Sequence, residues 1–103
     1  MRAEALKGHL DGLILAVLAA GPLHGYAVIE ELKGRSGGEL DLPEGTVYPA
    51  LHRLERAGLL ASSWSGGGRR RRVYELTAKG RRELGLRRDD WRRFATAVEA
   101  VLA

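Results

Sequence analysis

The chain has 103 residues, of which 29% are charged and 45% hydrophobic; its formal net charge is +4 and it contains no cysteine. These values describe one small globular domain and exclude a disordered or fibrous chain, a disulfide framework and a thiolate metal site. The longest apolar run, residues 13–20, is far short of the ~20 residues that a membrane-spanning helix needs.

The opening segment mixes acids with basic residues and carries no cleavage-site pattern, so no secretory signal is expected and the cytoplasm is the expected location. Charge is unevenly spread. Residues 1–68 hold six Lys or Arg against eight Asp or Glu, whereas 69–93 hold eleven against four. Clustered basic charge favours a polyanionic partner, with nucleic acid first and an anionic membrane second; a merely solvated face is the structural alternative.

In chain order, Leu10, Leu13, Ile14, Val17 and Leu18 repeat at i, i+3, i+4, i+7 and i+8, which predicts an amphipathic helix over about 9–20. Gly21 and Pro22 stop it. A second helix is expected from His24-Gly25 to about Lys33, with Tyr26, Ile29 and Leu32 as its apolar positions and Gly34 as its stop. A loop over 36–39 follows.

The segment 41–60, DLPEGTVYPALHRLERAGLL, joins a helix start, a polar face and a glycine stop. Pro43 and Glu44 suit a first turn. Val47, Leu51, Leu54 and Leu59 supply the packing side, and Thr46, Tyr48, His52, Arg53 and Arg56 the polar one. Pro49 lacks the N–H that would bond four residues back, so it must sit in the first turn or perturb the helix. The expected helix runs to Arg56 or Ala57 and ends at Gly58.

Residues 59–64 and 71–76 flank the glycine-rich turn 65–68 and predict a β-hairpin. Thr77 is placed to cap a last helix over 78–102. Gly80 and Gly85 weaken its first half, at up to ~1 kcal/mol each relative to alanine. Its apolar stripe of Trp91, Phe94, Ala95, Val98, Val101 and Leu102 needs a surface to cover it; a second copy of the chain is the expected one, and folding back onto the same core is the alternative. The fold class is therefore mainly α with a small β-hairpin: a winged helix-turn-helix over 1–77 and a C-terminal dimerisation helix over 78–103, forming one unit.

Several separated motifs point the same way. Leu23-His24-Gly25-Tyr26, Gly45-Thr46-Val47-Tyr48-Pro49-Ala50-Leu51, Arg53-Leu54-Glu55 before Gly58-Leu59, and Tyr74-Glu75-Leu76-Thr77 with Gly80 together resemble the PadR family of bacterial transcriptional regulators. The resemblance covers about 10–84 and is closest to the short form with a single C-terminal helix. It implies a homodimer that binds operator DNA and is released by a small effector. It also implies pairing of the terminal helix with the first one, here through Leu10 and Leu13, and a tryptophan in a pore for flat aromatic compounds, matched by Trp91.

Candidate DNA contacts are then Thr46, His52 and Arg53 for base edges, Tyr48 with Thr46 for phosphates, Pro49 within the same helix, and Arg69, Arg70, Arg71 and Arg72 on the wing. Alternate arginines of an extended strand face opposite sides, so at least two are expected to reach phosphate or a minor groove. Trp91 and Phe94 either hold a planar aromatic ligand or simply fill the dimer interface. Trp64 is expected to pack against the wing stem or the domain.

His24 reads as structural. Asp89-Asp90 reads as local charge balance, since a hard cation needs several convergent oxygens. Residues 66–68 lack the lysine of a phosphate-binding loop. No enzyme and no cofactor are expected. The competing reading is a winged-helix module used only for protein association.

Overall fold

A computed structural model describes residues 6, 8–68 and 70–103. Among the described residues these elements follow one another: α1 (Leu10–Leu18), β1 (Leu23–His24), α2 (Gly25–Arg35), α3 (Glu44–Arg56), β2 (Leu60–Trp64), β3 (Arg72–Leu76) and α4 (Ala78–Leu102). The strands form one antiparallel sheet in the order β1-β3-β2. This is the expected winged helix-turn-helix with a terminal helix, plus a third strand. Leu23 pairs with Tyr74 and His24 with Val73; two residues are too few to show an alternating pattern.

α1 is the centre of the core. Ile14, Leu15, Val17 and Leu18 are buried, and α2, α3, α4 and β3 all pack against this helix. A helix surrounded in this way is apolar on most sides, which accounts for the burial of Leu15 outside the expected stripe. Leu10 and Leu13 are partly buried against the same core.

α2 begins at Gly25 behind His24 as expected but departs from expectation at Tyr26 and at its end. Its buried side chains are Val28, Ile29 and Leu32, whereas Tyr26, read from the sequence as an apolar core position, is 52% exposed. It stops after Arg35, not at Gly34. Gly37, at φ +64°, closes it: Gly38 N–H donates to the Lys33 carbonyl at 2.8 Å and Gly37 N–H to the Gly34 carbonyl at 3.3 Å, the paired bonds of a Schellman cap.

α3 matches the expected bounds and buries Val47, Ala50, Leu51 and Leu54. Pro49 lies inside it without ending it. The carbonyl deprived of a donor belongs to Gly45, an exposed residue whose polar groups water can serve. Gly58, at φ +79°, ends the helix with a second Schellman cap, since Leu59 N–H bonds the Leu54 carbonyl at 3.0 Å and Gly58 N–H the Glu55 carbonyl at 2.9 Å. Leu59 is thus past the helix, buried where the hairpin begins.

The end of α3 and the start of α4 are stitched together. Thr77 Oγ1 accepts from Gly80 N–H at 3.0 Å and donates to the Gly58 carbonyl at 2.7 Å, while Lys79 Nζ donates to the Ala57 carbonyl at 2.9 Å. Gly80 is not merely a weak helix residue, as the sequence suggested. A Cβ there would stand 2.1 Å from the Leu59 carbonyl oxygen, so only glycine lets the helix approach the hairpin stem. Beyond Leu84 no residue of α4 is buried, and the helix contributes to an overall length of 54 Å against 28 and 20 Å in the other directions. Among the described residues no helix is long and apolar enough to cross a membrane.

The two glycines of α4 therefore differ in sign. Gly80→Ala is expected to destabilise the protein by about 1–3 kcal/mol through overpacking against backbone. Gly85→Ala, with open space at its Cβ, is expected to stabilise by up to ~1 kcal/mol. Urea unfolding of both variants checks this; a neutral Gly80→Ala would contradict the close approach.

Candidate nucleic-acid interface

One face of the molecule gathers the exposed side of α3 and the base of the wing. Thr46, Pro49, His52, Arg53 and Arg56 are all exposed, and Tyr48 is half-buried. The sequence therefore separated the faces of this helix correctly. Arg53 nevertheless has a partner: its guanidinium is ion-paired with Asp11 at the start of α1. Arg56 has no acidic partner among the described residues. The Arg53 side chain remains 54% exposed, so the pair orients it toward α1 at a stability gain of only ~0–1 kcal/mol.

Tyr48 is held by a glycine. Its ring lies against the N-terminus of α2, where a Cβ at Gly25 would come 2.6 Å from Cε1 and 3.0 Å from the hydroxyl oxygen. Residues 23 apart in sequence thus form one contact, and the absence of a side chain at Gly25 makes it possible. Tyr26 is exposed beside them, on the rim of the same groove. The groove has a volume of about 560 Å³ and is lined by His24, Gly25, Tyr26, Glu30, Tyr48 and the three wing arginines 70–72.

The wing arginines do alternate. The Cζ atoms of Arg70 and Arg72 each lie 5.3 Å from the centroid of the Trp64 ring, a cation–π geometry. Arg71 faces the other way, its Nη1 3.0 Å from His24 Nε2. Arg69 lies outside the described residues. Trp64 is not packed into the stem as expected; it is 54% exposed, with the two guanidinium groups on it.

Glu55 ties the wing to α3. It accepts a hydrogen bond from Ser62 Oγ at 2.5 Å and pairs with Arg72 at 3.6 Å. Below them Tyr74 is buried. Burial, reinforced by the negative charge of Glu55, raises the pKa of its phenol above the ordinary value, with Arg72 acting in the opposite direction, so the group stays neutral at physiological pH. Arg72 is therefore engaged on three sides, while Arg70 and Arg71 are more open.

On α4, Trp91, Phe94, Val101 and Leu102 are exposed, together with Leu86, which was not among the expected stripe residues. Ala95 and Val98 are partly buried. His9 meets the Trp91 ring edge-on at 5.2 Å, and Trp91 and Phe94 are 6.0 Å apart. Asp89 and Asp90 pair with Arg92 and Arg93 at 3.7 and 3.3 Å, the local charge balance expected of them. Among the described residues no cluster of acids and histidines is suited to a metal ion.

A three-helix core that presents an exposed polar helix beside an arginine-bearing hairpin places the protein in the winged-helix class of transcriptional regulators. Within that class, the chain belongs to the transcriptional regulator PadR-like family, whose model matches residues 14–86; this is a family of regulators, not of enzymes. It is 44% identical over 72 residues to the transcriptional regulator Rv3488 of Mycobacterium tuberculosis, covering 69% of this chain and 64% of that protein. The fold is also that of a PadR family transcriptional regulator from Eggerthella lenta, at 34% identity and a TM-score of 0.85, covering 96% of this chain and 86% of that one. A transcriptional regulator from Clostridium thermocellum superposes with a TM-score of 0.92 over 98% of this chain and all of that one; at 23% identity the likeness is one of fold.

The contact between Gly25 and Tyr48 can be tested by a double-mutant cycle. Gly25→Ala is expected to cost about 1–3 kcal/mol in the native sequence, because the Tyr48 ring must move. In a Tyr48→Ala background most of that cost should vanish. Equal costs in both backgrounds would mean that the two residues do not meet.

Proposed function

We propose that the protein is a ligand-responsive transcriptional repressor that binds a pseudo-palindromic operator as a homodimer in the cytoplasm. The observation that carries this reading is the adjacency of the exposed polar side of α3 to the wing arginines. α3 enters the major groove, where base edges display distinguishable donor and acceptor patterns. Thr46, His52 and Arg53 face the bases, Tyr48 and Pro49 approach the backbone, and Arg69 to Arg72 supply the charge that draws the wing to phosphate.

Homodimerisation is supported by the apolar face of α4. Trp91, Phe94, Ala95, Val98, Val101 and Leu102, with Leu10 and Leu13 of α1, form the two-fold interface in this reading, and the two arms are one unit. A C2 dimer sets two recognition helices about one DNA turn apart, which is why the operator is a near-palindrome. Trp91 of each copy faces a shared cavity, where two indoles stack on a flat aromatic effector. Binding there releases the operator.

A fragment of the gene's own upstream region tests DNA binding directly. Binding followed by fluorescence anisotropy should weaken steeply with salt, and Arg53→Ala should cost about 1–3 kcal/mol of discrimination between operator and unrelated DNA while the protein stays folded. Absence of any salt-sensitive, sequence-selective binding would leave protein association as the better reading.

The effector claim has a separate readout. Because Trp64 is also exposed, titration with planar aromatic drugs is best followed in a Trp64→Phe background, where Trp91 is the remaining tryptophan. Fluorescence quenching is expected there. In a Trp91→Ala protein, which retains Trp64, the binding isotherm should be lost; an unchanged isotherm would remove Trp91 from the effector site.

A further inference from the structure

The imidazole of His24 is asked to do two things that one neutral ring cannot do. It is the N-cap of α2, with Nδ1 accepting from Ala27 N–H at 3.3 Å, which leaves Nδ1 bare and puts the ring proton on Nε2. Nε2 in turn lies 3.0 Å from Nη1 of Arg71, and a guanidinium only donates. Two N–H donors therefore face one another at hydrogen-bond distance. Moving the proton to Nδ1 would give Arg71 its acceptor but would strip Ala27 N–H of its cap. Within the protein alone one of the two is always unmet. An anionic oxygen placed beside them meets both, taking the Nε2 proton and the Arg71 proton while Nδ1 keeps the cap.

The surroundings suit such an anion. The groove that holds this pair is also lined by Tyr26, Tyr48, Arg70 and Arg72, with Glu30 as its acid. Tyr48 is pressed against Gly25, which brings its hydroxyl to the positive end of α2, where first-turn N–H groups favour negative charge. With Arg72 paired to Glu55, Arg70 and Arg71 against Glu30 still leave the groove positive. It lies between the N-terminus of α2, α3 and the wing, so a DNA strand following α3 in the major groove would pass over it.

We propose that this groove grips one backbone phosphodiester of duplex DNA, with His24 Nε2–H and the Arg71 guanidinium as its principal donors and Tyr48 and Tyr26 at its rim. The assignment rests on the DNA-binding reading above and adds to it a residue, His24, that the sequence marks only as structural. A phosphate contact sets register and adds affinity without reading sequence. Loss of the clamp should therefore weaken operator and unrelated duplex alike.

His24→Asn tests it, since asparagine is itself a strong N-cap and removes the Nε2 donor with the helix start intact. Its affinity for both kinds of duplex is expected to fall by about tenfold, the scale of one hydrogen bond to a charged group. Arg71→Gln, on the exposed wing, should also lower the salt slope by about one. The decisive measurement scans a single neutral methylphosphonate linkage along the duplex. One position should penalise the wild type clearly more than it penalises either variant.

If the wild type binds in a salt-sensitive way but the variants keep its affinity and its full methylphosphonate pattern, the clamp is wrong and the DNA reading survives. If the wild type binds no duplex at all, both are wrong.

Discussion

The carbonyl oxygen of Leu59 is the point on which the arrangement depends. It accepts the N–H of Thr77 at 3.2 Å, and Gly80 sits so close that no side chain fits between them. α3 has just ended, the hairpin is beginning, and α4 starts on the same spot. A reading helix, a charged wing and a projecting helix thus share one rigid junction. Thr77 and Lys79 bond the carbonyls of Gly58 and Ala57, just past the end of α3, so the turn that closes that helix is held by the residues that launch α4. The direction of α4 relative to α3 follows from backbone contact, which tolerates little adjustment.

A second set of contacts fixes the polar side. Gly25 admits the Tyr48 ring, Glu55 reaches from α3 to Ser62 and Arg72, and Arg70 and Arg72 rest on Trp64. Each is modest, and those at the surface are screened by salt. Together they hold the wing and α3 as one surface. The ion pair from Asp11 to Arg53 extends that surface to α1, whose preceding residue His9 touches Trp91. The candidate effector face and the candidate reading helix are therefore linked through His9 and Asp11, two positions apart at the start of α1.

Much of this was legible in the chain. The bounds of α3 and α4 followed from Pro43, Gly58 and Thr77, because caps are local chemistry. The hairpin followed from two β-prone runs around glycines. What escaped was non-local. Tyr26 has the spacing of a core residue, yet it lies on a rim because Val28 takes the inward position. Gly80 has the signature of a helix defect, and only the position of Leu59 reveals its necessity. β1 is two residues long and exists because β3 offers an edge. His24 was recognisable as a helix start, but Arg71, 47 residues away, is brought to it by the sheet.

The sequence by itself determined the helix starts and stops, the glycine turns, the clustering of basic charge after residue 68 and the family motifs, since all of these depend on residues within a few positions of each other. The tertiary structure decided which tyrosine meets which glycine, which arginine is paired and which is free, and why His24 faces a donor in place of an acceptor. Those outcomes come from side chains far apart in the chain competing for the same space and the same hydrogen bonds, and that competition exists only once the core around α1 has closed.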